Sequence, residues 1–234
     1  MSQEMMTIEQ LASYLQRDQR EVQKWASRGY LPVHKVSGEY RFHPVEINHW
    51  LETQMHAYTE QELSKLELGA AERGLEQQPL LSTLVSEATI AVPLLANTKA
   101  SVLRELIKVA EASWQVYDAD KLFEAVRERE EMGTTALESG VAIPHPHRPM
   151  PNLLGDSIVA IGRTPSGIPF GAPRGGLTDL FFLVCCRDDR THLRVLARLS
   201  RLMLREGFVQ ELRQAESPAE LYQALEAAER DLLN

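Results

Sequence analysis

Residues 177–186, "LTDLFFLVCC", constrain this chain more than any other stretch. They are apolar nearly throughout, with neither the alternation of a half-wet strand nor the stripe of a surface helix. Such a run suits a central strand covered on both faces, which requires helices above and below it. The rest of the C-terminal two thirds supplies them. Residues 89–92 form a short β-rich run, and 99–114 and 120–131 are amphipathic helices. "GVAIPH" and "DSIVAIGR" (156–163) are strands, "TPSGIPFGAPRGG" supplies turns, and further helices begin near Thr191. The predicted class is α/β, a mixed β-sheet flanked by helices.

The first 58 residues have a different grammar. "TIEQLASYL" is a helix with Thr7 as N-cap and Leu11, Ala12 and Leu15 on one face. A second helix starts after Asp18, buries Val22, Trp25 and Ala26, and stops at Gly29. "LPVHKVSGEYRFH" reads as a hairpin turning at Ser37-Gly38, and Pro44 opens a third short helix, "PVEINHWLE". Helix, tight turn, helix and hairpin make a small winged helix-turn-helix pattern. Residues 59–79 read as a linker helix opened by the capping box "TEQE", which Gly69, Gly74 and Pro79 weaken towards its end. The predicted domains are therefore 1–58, the linker 59–79, and 80–234.

Several function classes drop out. The formal charge of −8 over 234 residues argues against a general nucleic-acid binder, although local basic surface remains open. No apolar run is long enough for a membrane helix, no signal-peptide core is visible, and the adjacent Cys185 and Cys186 cannot make a disulfide framework. The expected compartment is the cytoplasm, and the two cysteines read as small buried hydrophobes. GxSxG, GxxxxGK[ST] and GxGxxG are all absent, so neither a hydrolase elbow nor a nucleotide loop is supported.

The histidines carry more. In "SGVAIPHPHRPMP" an apolar run ends at Pro144-His145, placing an imidazole at the carboxyl end of a strand, where open α/β sheets bind ligands. A polar loop histidine is the other reading. His192, in "CCRDDRTHL", lies at a helix start that Asp189 or Thr191 can cap. That position favours phosphate and a neutral imidazole, or is simply a polar helix start. Arg129, in "VREREEMGTT", reads as part of a solvated charge run. His145, His147 and His192 could offer three zinc ligands. Pro146 restricts the first pair, however, and no HExxH or paired CxxC exists, so no metal and no cofactor are expected.

Taken in order, "REEMGTTALESGVAIPH" and "DLFFLVCCRDDRTHL" resemble the two motifs of the IIA domain of the fructose/mannitol class of the phosphotransferase system (EIIA type 2), most of all its nitrogen-regulatory variety. The resemblance spans about residues 80–225. It implies a phosphohistidine at His145, received from an HPr-like (NPr-type) phosphocarrier protein. Arg129 would hold the phosphoryl oxygens and His192 would orient or stabilise the group. Such a protein is a phosphotransfer intermediate rather than a metabolic enzyme. This chain departs from the pattern at Pro146-His147, where many members have Gly-Lys, and at Glu138-Ser139-Gly140, where many have Gly-x-Gly. His147 receives no family role and is expected at the rim, touching carrier or solvent. The N-terminal unit resembles excisionase/MerR-like winged helix-turn-helix domains. That implies DNA contact through Gln19, Arg20, Gln23 and Lys24 on the second helix and Lys35 and Arg41 on the wing, with protein binding as the other use of the fold. A homo-oligomer stays open.

Overall fold

The structure, a computed structural model, describes residues 5–70, 78 and 80–233. The N-terminal module begins with α1 (Ile8–Leu15) and α2 (Gln19–Arg28). Thr7 caps α1 through a reciprocal capping box with Gln10, and Asp18 caps α2. Caps of this kind each contribute about 1 kcal/mol. Strands β1 (His34–Val36) and β2 (Glu39–Arg41) form the expected antiparallel hairpin, and α3 (Pro44–Gln54) follows with Pro44 in its first turn.

The expected linker helix exists as α4 (Glu60–Ala70), but it is no exposed connector. Its buried Leu63, Leu66 and Glu67 face the C-terminal domain. Glu67 meets Arg198, and Arg198 also donates to Glu229 at 2.6 Å. All three are essentially inaccessible to solvent. Gly69, which weakens the helix on sequence grounds, is where Gln16, the residue capping α1, comes close: a Cβ there would collide with the Gln16 side chain. Gly74 and Pro79 lie outside the described residues.

The C-terminal domain runs α5 (Leu81–Leu84), β3 (Ile90–Ala91), α6 (Lys99–Glu111), α7 (Ala119–Met132), β4 (Val141–Ala142), β5 (Ile158–Ile168), β6 (Thr178–Cys185), α8 (Asp189–Leu204), α9 (Phe208–Gln214) and α10 (Pro218–Leu233). The sheet order is β3-β5-β6-β4, with β3 parallel to β5, β4 parallel to β6, and β5 antiparallel to β6. The mixed sheet between helices is therefore present.

Strand β6 explains the apolar run. Leu180, Phe182, Val184 and Cys186 join one core, with α8–α10 and the N-terminal module. Phe181, Leu183 and Cys185 join the other, with α6 and α7. A strand with hydrophobic layers on both sides has no wet face.

Two strand boundaries differ from expectation. The strand expected at 156–163 begins at Ile158 and continues through the Gly/Pro-containing 164–168, which was read as turn. A register shift between Arg163 and Ile168 takes up Pro165, and Ile168 then pairs with Thr178. "GVAIPH" is a strand only at Val141–Ala142, because Pro144 has no N–H to donate. Its carbonyl still accepts from Val184 N at 2.9 Å, which keeps the following residue at the sheet's edge.

Candidate functional site

His145 follows that strand exit directly. Its Nδ1 lies 2.7 Å from the Ile143 carbonyl oxygen, so Nδ1–H donates there and Nε2 faces away from the backbone. The ring is buried, and burial lowers its pKa below that of a free imidazole, against the opposing pull of the Glu52 carboxylate. With Nδ1 committed to that carbonyl, Nε2 is the ring nitrogen that faces the site.

His192 enters from the first turn of α8, its ring 5.1 Å from that of His145. The cap of α8 is Asp188 rather than Asp189 or Thr191; it accepts from Thr191 N at 2.8 Å. Three capping residues lie within four positions, and the helix starts after the first of them.

Arg129 overturns the solvated-charge reading of its run. It is buried, as is Glu130, while Arg127, Glu128 and Glu131 are exposed. The two buried residues divide the work. Glu130 accepts from Thr135 N at 3.0 Å and Thr135 Oγ1 at 2.6 Å, and pairs with Lys99 at 3.0 Å, bracing the turn after α7. Arg129 donates from Nη1 to the Gly133 carbonyl at 3.1 Å and from Nη2 to the carboxylate that also meets the two histidines.

Between these three side chains lies Glu52, from α3 of the N-terminal module. Its Oε2 is 3.1 Å from Arg129 Nη2 and 3.1 Å from His145 Nε2, and its Oε1 is 2.9 Å from His192 Nε2. Burial alone would raise the Glu52 pKa. The charge and hydrogen bond of His145 and the hydrogen bond of His192, with the His49 ring 3.7 Å away, outweigh it and hold the group well below the usual carboxylate range. The sequence carried no signal for Glu52. It is one acid in "HWLETQ", brought to the site across 93 residues.

His147 is half-buried at the rim and packs edge-on against His49, with centroids 5.6 Å apart. Its pKa is lowered by burial and then by His49. Its neighbour is thus the N-terminal module. The only metal-like grouping found among the described residues is Glu52, His145 and His192, whose ligand atoms lie within 4.8 Å of one another; His147 is not part of it. The Arg129 guanidinium on the same carboxylate oxygen favours an anion there over a cation. On the N-terminal module, Gln19, Arg20, Gln23, Lys24 and Lys35 are exposed, whereas Arg41 is partly buried and paired with Glu39 at 2.7 Å.

Residues 83–228 match the family described as phosphoenolpyruvate-dependent sugar phosphotransferase system, EIIA 2. The chain belongs to this EIIA 2 family. A second match, to a helix-turn-helix domain, covers residues 5–55. Among EIIA 2 relatives, the nitrogen regulatory protein of Bradyrhizobium diazoefficiens is 33% identical over 148 residues, 62% of this chain and 94% of that protein. The fructose-specific EIIABC component of Bacillus subtilis is 28% identical over 139 residues, 58% of this chain but only 21% of that much longer protein. In three dimensions the chain is similar to the nitrogen regulatory protein IIA-Ntr from Neisseria meningitidis, with a TM-score of 0.57 at 24% identity, over 63% of this chain and 99% of that one. Arg129, His145 and His192 all lie inside the EIIA 2 match; Glu52 lies in the helix-turn-helix match. No helix among the described residues is long and apolar enough to cross a membrane.

Proposed function

We propose that this chain is a regulatory EIIA 2 protein that accepts a phosphoryl group on His145 from an HPr-like phosphocarrier and relays that state to its N-terminal module. One observation carries the reading. The Ile143 carbonyl accepts the Nδ1–H of His145, so Nε2 is the ring nitrogen presented to a space flanked by Arg129 and His192. In the transfer, Nε2 attacks the phosphorus of the carrier's phosphohistidine. The donor N–P bond breaks and its electron pair returns to the carrier's imidazole. The His145 proton stays on Nδ1, hydrogen-bonded to the Ile143 carbonyl, throughout. Arg129, planar and permanently charged, faces the transferring oxygens, and His192 supplies a second donor. The energy is already in the donor phosphohistidine, so the step calls for no nucleotide or metal.

Incubating the full chain with phosphoenolpyruvate, enzyme I and an HPr-type carrier should yield an acid-labile adduct that is lost in His145→Ala. Equal labelling of that variant would overturn the assignment. A second reading makes the protein primarily a DNA-binding transcriptional regulator with a sensory EIIA 2 domain. The exposure of Gln19, Arg20, Gln23 and Lys24 together on α2, with Lys35 on the wing, favours it. Titrating the full chain on genomic DNA fragments at several salt concentrations decides it. Specific binding with a steep salt slope supports this reading, and no binding at low salt removes it.

A further inference from the structure

The space that a phosphoryl group on His145 would occupy already holds an anion from the same chain. Both oxygens of the Glu52 carboxylate are engaged, one by Arg129 and His145 and the other by His192. The four side chains are between 4% and 7% exposed, so little water shares the site. These are the same groups that would receive phosphoryl oxygens. We propose that Glu52 is an internal stand-in for the phosphoryl group: an anionic latch that docks the helix-turn-helix module on the EIIA 2 domain and is expelled when His145 is phosphorylated. The inference rests on the reading of His145 as the phosphoacceptor and adds the residue through which that state reaches the N-terminal module.

Three observations support it. First, the side chains that reach the site and its rim come from one helix, α3. Asn48 and His49 lie four and three residues before Glu52, so they flank it on the same side of α3. Asn48 Nδ2 donates to Asp189 Oδ1 at 2.8 Å, His49 packs on His147, and Glu52 fills the site. Asp189 opens α8, the helix that carries His192, so α3 lies over the approach to His145 as well as in it.

Second, Glu52 and a phosphoryl group exclude each other by both volume and charge. A carboxylate left beside a phosphohistidine, with its Arg129 and His192 donors redirected to phosphoryl oxygens, is a buried anion facing another anion. Expulsion relieves that repulsion. Third, the retained attachment is elsewhere. Helix α4 is fixed to α8 and α10 through the Glu67–Arg198–Glu229 cluster, so loss of the α3 contact frees the module's face without separating the two domains. Coupling of this kind is reciprocal: a ligand that captures the released module makes His145 easier to phosphorylate.

The test uses the full chain as wild type and Glu52→Gln. Hydrogen exchange of the unphosphorylated proteins comes first and needs no carrier. The variant should exchange faster than wild type through residues 44–54, while α4 stays protected. Unchanged exchange there overturns the latch whatever His145 does. Labelling by enzyme I and the HPr-type carrier comes second. Because only the open fraction accepts, Glu52→Gln should label on the order of tenfold faster. Equal or slower labelling overturns the proposal. If neither protein labels on His145, the phosphoacceptor reading itself fails, while the exchange result still judges whether Glu52 docks the module. Phosphorylated wild type should show the same loosening of residues 44–54, a measurement that does not depend on the variant's folding. Stoichiometric zinc in the wild type, lost in Glu52→Gln, would overturn the proposal in favour of a metal ligand.

Discussion

Replacing Arg198 by Met should lower the thermal midpoint by about 6–12 °C. Arg198 is fully buried and holds two carboxylates from different parts of the chain, Glu67 on α4 and Glu229 on α10. Removing one member of a buried ionic cluster typically costs about 3–5 kcal/mol, because the partners are left charged and dry. The lower end applies here. Glu67 keeps a 2.7 Å bond from Arg201, and Glu229 keeps the backbone N–H groups of Leu80, Leu81 and Ser82 at 2.8–3.0 Å. About 3 kcal/mol, at about 2–4 °C per kcal/mol for a chain of this size, gives the stated fall. Scanning calorimetry on wild type, Arg198→Met and Arg198→Lys provides the check. Lys keeps the charge but lacks the fork that spans both carboxylates, so it should fall between the other two. A Met variant melting within about 2 °C of wild type would refute the view that this cluster binds α4 to the EIIA 2 domain.

Three further outcomes follow from the same structure. Cys185 and Cys186 are buried and burial pushes the Cys185 thiol up to about 12, so at pH 8 iodoacetamide should leave both unmodified until the chain is denatured. Burial also depresses the pKa values of His145 and His147 below 6.5. Their contribution to stability is therefore present above pH 6.5 and lost as pH falls, because the unfolded chain takes up these protons first. The melting midpoint should drop between pH 7.5 and 5.5, and His147→Gln, which removes one of the two groups, should flatten that slope. Gly140 has a φ of +80°, and a Cβ there would lie 2.6 Å from Arg213 Nη2, which is tied to Asp179 at 2.7 Å and to the Ser139 carbonyl. Gly140→Ala should thus cost more than about 1 kcal/mol by urea titration.

What could be read in the sequence was local or periodic. The apolar run at 177–186 announces a two-faced strand because the successive side chains from Leu180 to Cys185 all need hydrophobic neighbours. Pro144 marks the strand exit because it cannot donate, and the capping patterns at Thr7 and Asp18 are contained within three residues. Boundaries set by tertiary contact were missed. Residues 164–168 look like a turn, yet β6 supplies a partner that draws them into the sheet past a register shift. Arg129 and Glu130 look like solvated charges until a turn and a cluster from elsewhere bury them. Glu52 lies furthest from any sequence rule. Its role depends on how α3 lands on the other domain, and no spacing within "HWLETQ" encodes that.

In the transfer proposed above, His145 accepts through Nε2 while Nδ1 keeps its proton and donates it to the Ile143 carbonyl. Nitrogen–phosphorus correlation NMR on the phosphorylated, nitrogen-15-labelled full chain reads this directly. The expected result is one phosphohistidine, at His145 Nε2, with a protonated Nδ1. Phosphorus on Nδ1, or on His147 or His192 instead, would contradict it.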